Sequence, residues 1–184
     1  AIFFYVGVEV CIGANINLYA LGLEKEGTTF SFFGMKPLSI LGINFSIPAL
    51  MATLYWGGML IGRLISSSLN NISPRIQLGI AAIFAGIFTL LAIIVNNPWL
   101  LVAVGLFHSV MWGAIFTLSV VIHGKYTSKA SGIFMIGVIG GALSTLLHAI
   151  IADAMAGDRR SIGILVYTGY FYHLYYSLIC YNVK

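Results

Sequence analysis

An all-α membrane protein with six transmembrane helices is the fold class that this sequence predicts, on three observations. Hydrophobic residues make up 60% of the chain and charged ones only 8%, with a mean hydropathy of +1.00. A soluble domain of 184 residues needs far more polar surface, because its outside must face water. The apolar residues gather into six runs, each near the roughly 20 residues that cross a bilayer core of about 30 Å. Along these runs charge almost never recurs, whereas helices of a soluble bundle carry a charged stripe on the solvent side.

The first run, residues 2–21, follows Ala1 rather than a Met and shows no cleavable signal pattern, which reads as the start of a fragment. It carries Glu9, Asn15 and Asn17 at a depth where such groups are costly. The stretch GLEKEGTTFSFFGMKPLSILG separates it from the second run, residues 44–67, which contains GGMLIGR with Arg63 near its end. SSSLNNISPR leads to the third, 76–96, which has no titratable group. NNP leads to the fourth, 98–122, which holds His108 and Trp112. HGKYTSKAS precedes the fifth, 131–152, and DAMAGDRRS the sixth, 162–181, where His173 sits among tyrosines with no role assigned. Each separator contains the Gly, Asn, Pro or charge that ends a helix. Cys11 and Cys180 fall inside apolar runs with no CxxC spacing, so each reads as a small buried hydrophobe.

Six spans return both termini to one side of the membrane. Arg63, Arg75, Lys125, Lys129 and Lys184 fall on that side, and Lys25, Lys36, Arg159 and Arg160 on the other. That excess of five over four favours cytoplasmic termini under the positive-inside rule. The net charge of +4 is spread over the loops rather than clustered, which speaks against a nucleic-acid partner.

Taken at about 100° per residue, Tyr5, Glu9, Gly13 and Asn17 share one stripe of the first span, with Asn15 pointing elsewhere. Gly105, His108, Trp112 and Ser119 share a face of the fourth, and Gly137, Gly141, Ser144 and His148 a face of the fifth. Two readings compete for such stripes. Small residues let helix backbones approach while hydroxyls and amides stitch neighbours together; alternatively the stripe lines a water-accessible path, where intramembrane ionisable groups belong. Packing is the preferred reading for Gly137/Gly141 and for Gly58/Gly62, a path or internal ion pair for Glu9. His108 stays between the two, and His148 reads equally as a structural histidine.

Enzyme signatures are missing. The four histidines stand 15, 25 and 25 residues apart, so no HExxH or helix-paired metal site exists. There is no GxSxG, GxxxxGK[ST] or GxGxxG. The sequence therefore implies no catalytic residue, no metal and no cofactor; a membrane enzyme using Glu9, His108 or His148 as acid or base stands as the weaker alternative.

FFYVGVEVCIGANINLYA, GMLIGRLISSSL and GLFHSVMWGAIFTLSVVIHGKYTSKASGIFMIGVIGGALSTLLHAIIAD resemble the C-terminal half of bacterial fucose–galactose–glucose:proton symporters of the major facilitator superfamily. The block over the fourth and fifth spans is the most specific. The resemblance implies a single six-helix domain over residues 1–184, built as two inverted three-helix repeats. It would pair with a separate N-terminal six-helix half in the bacterial inner membrane and carry a monosaccharide with a proton. In that family the first and fourth spans of this half line the central cavity. The resemblance thus implies sugar contacts at Glu9, Asn15 and Asn17 on one and at His108 and Trp112 on the other. Asn17 would offer a donor and an acceptor to a sugar hydroxyl, and Trp112 an aromatic surface to a pyranose ring.

Arg63 matches a basic position at the mouth of the loop after the second span, read as a gating tie between helix ends or as an interfacial anchor. The family has Pro where Gly113 stands, and a Pro and a Gln in the stretch now holding Thr145 and His148; two expected kinks are thereby lost. A third reading is a degenerate half-transporter or partner subunit without transport of its own. Three structural expectations follow. The first and fourth spans are related by pseudo-symmetry. The stripe of Glu9, Asn17, His108 and Trp112 lies open. Glu9, with no basic residue mid-span to pair it, is hydrogen-bonded to Tyr5 or a neighbouring helix, or reaches water.

Overall fold

The computed structural model describes residues 1–29, 38–40, 43–68 and 72–154; the sixth expected span, with His173 and Cys180, lies outside them. Among the described residues, five helical segments are long and apolar enough to cross a membrane, and the chain is a multi-pass membrane protein. Four are α1 (Ile2–Lys25), α2 (Ile47–Ser68), α3 (Pro74–Val95) and α4 (Trp99–Ser119). The fifth, His123–Ile151, contains α5 (Thr127–Ile136) and most of α6 (Gly140–Ala154), joined by a 3-10 turn at Gly137–Ile139.

Local chemistry sets the boundaries. The second helix starts at Ile47 rather than at residue 44. Ser46 caps it, its carbonyl accepting from the Leu50 amide at 3.0 Å and its hydroxyl from that of Ala49 at 3.4 Å. Pro48 is tolerated in the first turn, where its missing N–H has no helical acceptor. The residues just upstream form an antiparallel strand pair that the loop reading did not foresee. Leu38–Ile40 (β1) pairs with Ile43–Phe45 (β2), Leu38 opposite Phe45. Isoleucines and a phenylalanine around a Gly suit so short a pairing. The third helix ends at Asn96, whose left-handed backbone (φ 53°, ψ 42°) closes it. Asn97 then accepts the Trp99 amide through Oδ1 at 3.0 Å as α4 begins. The fourth helix stops at Ser119, short of residue 122, and the following 3-10 segment Val121–Tyr126 is broken at Gly124 (φ 53°).

The central helix is α4, which packs along α2 and α3 and touches α1; α1 packs against α6 and α2. One core joins Ile12, Ile16 and Tyr19 of α1 to Met51 and Tyr55 of α2 and Val104 of α4. A second joins Ile2, Tyr5 and Val6 to Leu78, Met111 and Phe134.

Because lipid is as apolar as a helix flank, close backbone approach has to supply much of the cohesion. It does so at glycines. A Cβ on Gly140 would strike the Phe3 carbonyl, and one on Gly7 the Ser144 side chain. Gly141 faces Val6 and Val10, and Gly137 faces Ile2. The packing reading of Gly137 and Gly141 therefore holds. At the α2–α4 contact, a Cβ on Gly105 would lie 2.5 Å from the Tyr55 carbonyl oxygen, and Gly62 meets Ser109. Gly58 is looser, with its nearest atom, the Val102 carbonyl, at 3.8 Å.

Candidate functional site

Three helices bring the polar groups of the first and fourth spans to one junction. α1 supplies Tyr5 and Glu9, α2 supplies Tyr55, and α4 supplies His108 and Trp112. Glu9 is 7% exposed and His108 fully buried. The Tyr5 hydroxyl donates to the His108 carbonyl at 2.8 Å and also hydrogen-bonds the Glu9 carboxyl. A single hydroxyl proton satisfies both partners only when the carboxyl donates the second bond. The Tyr55 hydroxyl donates to the Glu9 carbonyl at 3.1 Å and lies 2.6 Å from His108 Nδ1. Here too, both contacts are hydrogen bonds only when Nδ1 carries the ring's proton. Both tyrosine rings stand edge-on to the imidazole at 6.0 Å, and Tyr5 also meets the Trp112 ring at 5.9 Å.

The polar stripe is therefore sealed in part. Glu9 and His108, expected to lie open, are enclosed by Tyr5 and Tyr55, because three backbones converge here: Gly13 sits against the Tyr55 and Trp56 rings and Gly105 against the Tyr55 backbone. Asn15, Asn17 and Trp112 are half-buried. Asn15 donates to the Cys11 carbonyl of its own helix at 2.8 Å, and Asn17 Oδ1 accepts from the Leu18 amide, also at 2.8 Å. Of the expected alternatives for Glu9, the hydrogen bond to Tyr5 is the one found. His148, on α6, is buried.

Beside the junction, a cavity of about 560 Å³ opens between the C-terminal end of α2, the start of α3 and the later half of α4. Arg63, Gln77, Ser109 and Thr117 line it, and Trp112 forms the wall nearest Tyr5. Arg63 is exposed, and its positive charge acts on the Glu9 carboxyl.

Tyr55 was not singled out from the sequence, although it links both titratable groups. Its spacing to Met59 and Gly62 (i, i+4, i+7) marks the buried face of α2, and a tyrosine buried mid-span needs a partner for its hydroxyl. Tyr55→Phe removes the bridge and leaves the packing, with an expected cost of about 1–2 kcal/mol. Thermal unfolding in detergent reads it out. A variant as stable as the parent would mean that the hydroxyl contributes nothing at this junction.

No protein-family model matches the chain. It is 32% identical over 185 residues to the putative glucose/galactose transporter of Helicobacter pylori strain J99, an alignment covering 96% of this chain and 41% of that protein. It is 28% identical over 158 residues to the glucose/galactose transporter of Brucella abortus biovar 1, covering 84% of this chain and 35% of that one. Among solved structures, the major facilitator superfamily transporter FucP in the outward conformation matches with a TM-score of 0.78 at 20% identity, over 97% of this chain and 40% of that one. The chain thus spans about two fifths of the length of the relatives it matches. Over most of its length it is homologous to proteins named glucose/galactose transporter, and its fold is that of part of a major facilitator superfamily transporter. These relatives are transporters, not enzymes.

Proposed function

We propose that this chain is the C-terminal six-helix half of a proton-coupled monosaccharide transporter that works by alternating access. The observation that carries this reading is the near-complete alignment of the chain to about two fifths of proteins named for glucose and galactose transport. Residues 1–184 form one domain, which pairs with an N-terminal six-helix half in the bacterial inner membrane, both termini in the cytoplasm. The domain is built from two inverted three-helix repeats. Supporting this, α4 packs on α2, the helix after α1, while α1 packs on α6, part of the helix after α4. Such an exchange of partners is what a pseudo-two-fold axis in the membrane plane requires.

The sugar lies against Asn15, Asn17 and Trp112, the half-exposed members of the set. Glu9 and His108 form the polar junction behind it and are presented to the sugar as Tyr5 and Tyr55 shift during the cycle. Arg63 ties helix ends at the mouth of the cavity. The test is uptake of labelled glucose, galactose and fucose by a twelve-helix transporter in which this chain supplies the last six helices. Accumulation of at least one sugar, collapsed by a protonophore, is expected. Membrane-inserted protein that accumulates none of the three would leave the degenerate half-transporter as the better reading. Accumulation indifferent to the protonophore would remove proton coupling alone.

A further inference from the structure

The cavity of about 560 Å³ beside the junction divides its hydrogen-bonding groups by sense. Ser67, Ser109 and Thr117 each commit the hydroxyl proton to a carbonyl of their own helix. The acceptors are Leu64, Leu106 and Gly113, at 2.7, 2.7 and 2.9 Å. What these hydroxyls turn to the cavity is therefore acceptor lone pairs. Arg63, on the same wall, offers only N–H donors, set in a planar fork. Trp112 adds an aromatic side chain, held between the rings of Tyr5 and Phe134 at 5.9 and 5.8 Å. Gly113 also lines the cavity, and a Cβ there would meet nothing within 4 Å among the described residues. Glu9, Asn15, Asn17 and His108 are not among the described lining residues. This is a chamber of its own, joined to the junction through the contact of Trp112 with Tyr5.

We propose that this chamber is a second station for a neutral polyhydroxylated molecule of monosaccharide size, distinct from the contacts at Asn15 and Asn17. The wall selects that chemistry. Each hydroxyl of a polyol both donates and accepts, so it can give its proton to Ser67, Ser109 or Thr117 and take one from Arg63. A phosphate or carboxylate would use the guanidinium but set its remaining oxygens against hydroxyl oxygens whose protons are already committed. A cation would be repelled by Arg63. The indole of Trp112 offers an apolar surface to the C–H face of a pyranose ring. The volume lies within the range of small-molecule pockets, about 300–1,000 Å³. The proposal rests on reading the chain as part of a sugar transporter. In the orientation given above the chamber lies at the cytoplasmic end, where a sugar released past the sealed junction would next be held.

Saturation-transfer NMR titrations of the full 184-residue chain test this, in a detergent without a sugar headgroup. The probes are D-glucose, D-galactose and glucose 6-phosphate. Binding is measured first in an Asn15→Ala/Asn17→Ala variant, which removes the other contacts. Glucose or galactose should still bind there. Adding Gly113→Leu, which fills the chamber from a position with open space, should weaken that binding at least about tenfold. Adding Thr117→Val instead, which keeps the shape and removes one acceptor, should weaken it about five-fold. Glucose 6-phosphate should bind more weakly than glucose. Sugar binding by the parent that disappears in the double asparagine variant overturns the second station and leaves the transporter reading standing. Binding by neither protein makes the chamber a water-filled funnel and also overturns it. So does binding indifferent to both Gly113→Leu and Thr117→Val. Tighter binding of glucose 6-phosphate than of glucose would make the chamber an anion site and not a sugar station.

Discussion

Gly140→Leu is expected to prise the first helix away from the fifth and to cost at least about 3 kcal/mol, the upper end of ordinary overpacking. The reason is the atom it would meet. A Cβ at Gly140 runs into the carbonyl of Phe3, which is backbone and cannot rotate aside as a side chain does. Gly7 on the facing helix is closed in the same way, by Ser144 and by the Gly140 carbonyl at 3.4 Å. Neither helix has room to slide. Helix propensity pulls the other way, since Ala exceeds Gly by about 1 kcal/mol, so Gly140→Ala should still destabilise, by less than the leucine does. Gly22 is the control, with nothing within 4 Å of its Cβ position among the described residues. Gly22→Ala should leave the thermal midpoint unchanged or raise it slightly. If Gly140→Ala and Gly22→Ala melt alike in detergent, the close approach at Phe3 is not what holds α1 to α6.

The packing role of the neighbouring Gly137 and Gly141 was legible in the sequence, because glycines at helical spacing in a membrane span have few purposes other than backbone approach. Gly140 and Gly7, which make the tightest contacts here, were not singled out. The first four spans were legible to within a few residues, since length and hydropathy are fixed by the bilayer; the fifth begins at His123 rather than at residue 131, and the sixth lies outside the described residues. What covers each stripe was not legible. In water, a helix announces its buried side by the contrast between apolar and charged faces. Here α1 has apolar residues all round, and the environment of its outer face is as apolar as its core. Periodicity could group Tyr5, Glu9, Gly13 and Asn17, yet only the contacts with Tyr55 and His108 divide them into an enclosed part and a half-exposed end. Tyr55 was missed for the same reason: its partners lie 46 and 53 residues away, beyond any local pattern. The strand pair ahead of α2 escaped notice because three-residue strands leave no periodicity to read.

The interruption of the fifth helix bears on how this domain moves. The stretch around Thr145 and His148 lacks the proline expected there, and α6 runs through it as continuous helix. Irregularity occurs earlier, at the 3-10 turn Gly137–Ile139, directly beside the tight contact of Gly137 and Gly140 with α1. Mid-helix 3-10 turns are frequent hinge positions. A bend at this turn would be transmitted to α1 through Phe3 and Ile2, one and two turns from Tyr5 and Glu9, rather than lost in lipid.

Glu9→Gln is the substitution with the largest expected effect on transport, and it isolates a single property. Glutamine keeps the length of the side chain and an acceptor oxygen, but it can neither take up nor release a proton. Its amide nitrogen can still donate to Tyr5 while Tyr5 serves the His108 carbonyl at 2.8 Å, so the substitution keeps the hydrogen bonding and removes the titration. The helix backbone is untouched, and the Tyr55 hydroxyl still has the Glu9 carbonyl at 3.1 Å, so the domain should insert and fold as before. In a complete transporter that includes this chain, proton-linked sugar uptake should fall at least about tenfold, the loss expected when a positioned group can no longer take part in proton transfer. Sugar uptake measured across a range of external pH, with the amount of inserted protein measured alongside, separates the outcomes. Reduced uptake with normal insertion and a flattened pH profile places proton exchange at this junction. Uptake equal to the parent's at every pH would make Glu9 a packing residue that happens to be polar, and its bonds to Tyr5 and through Tyr55 a means of fastening three helices together.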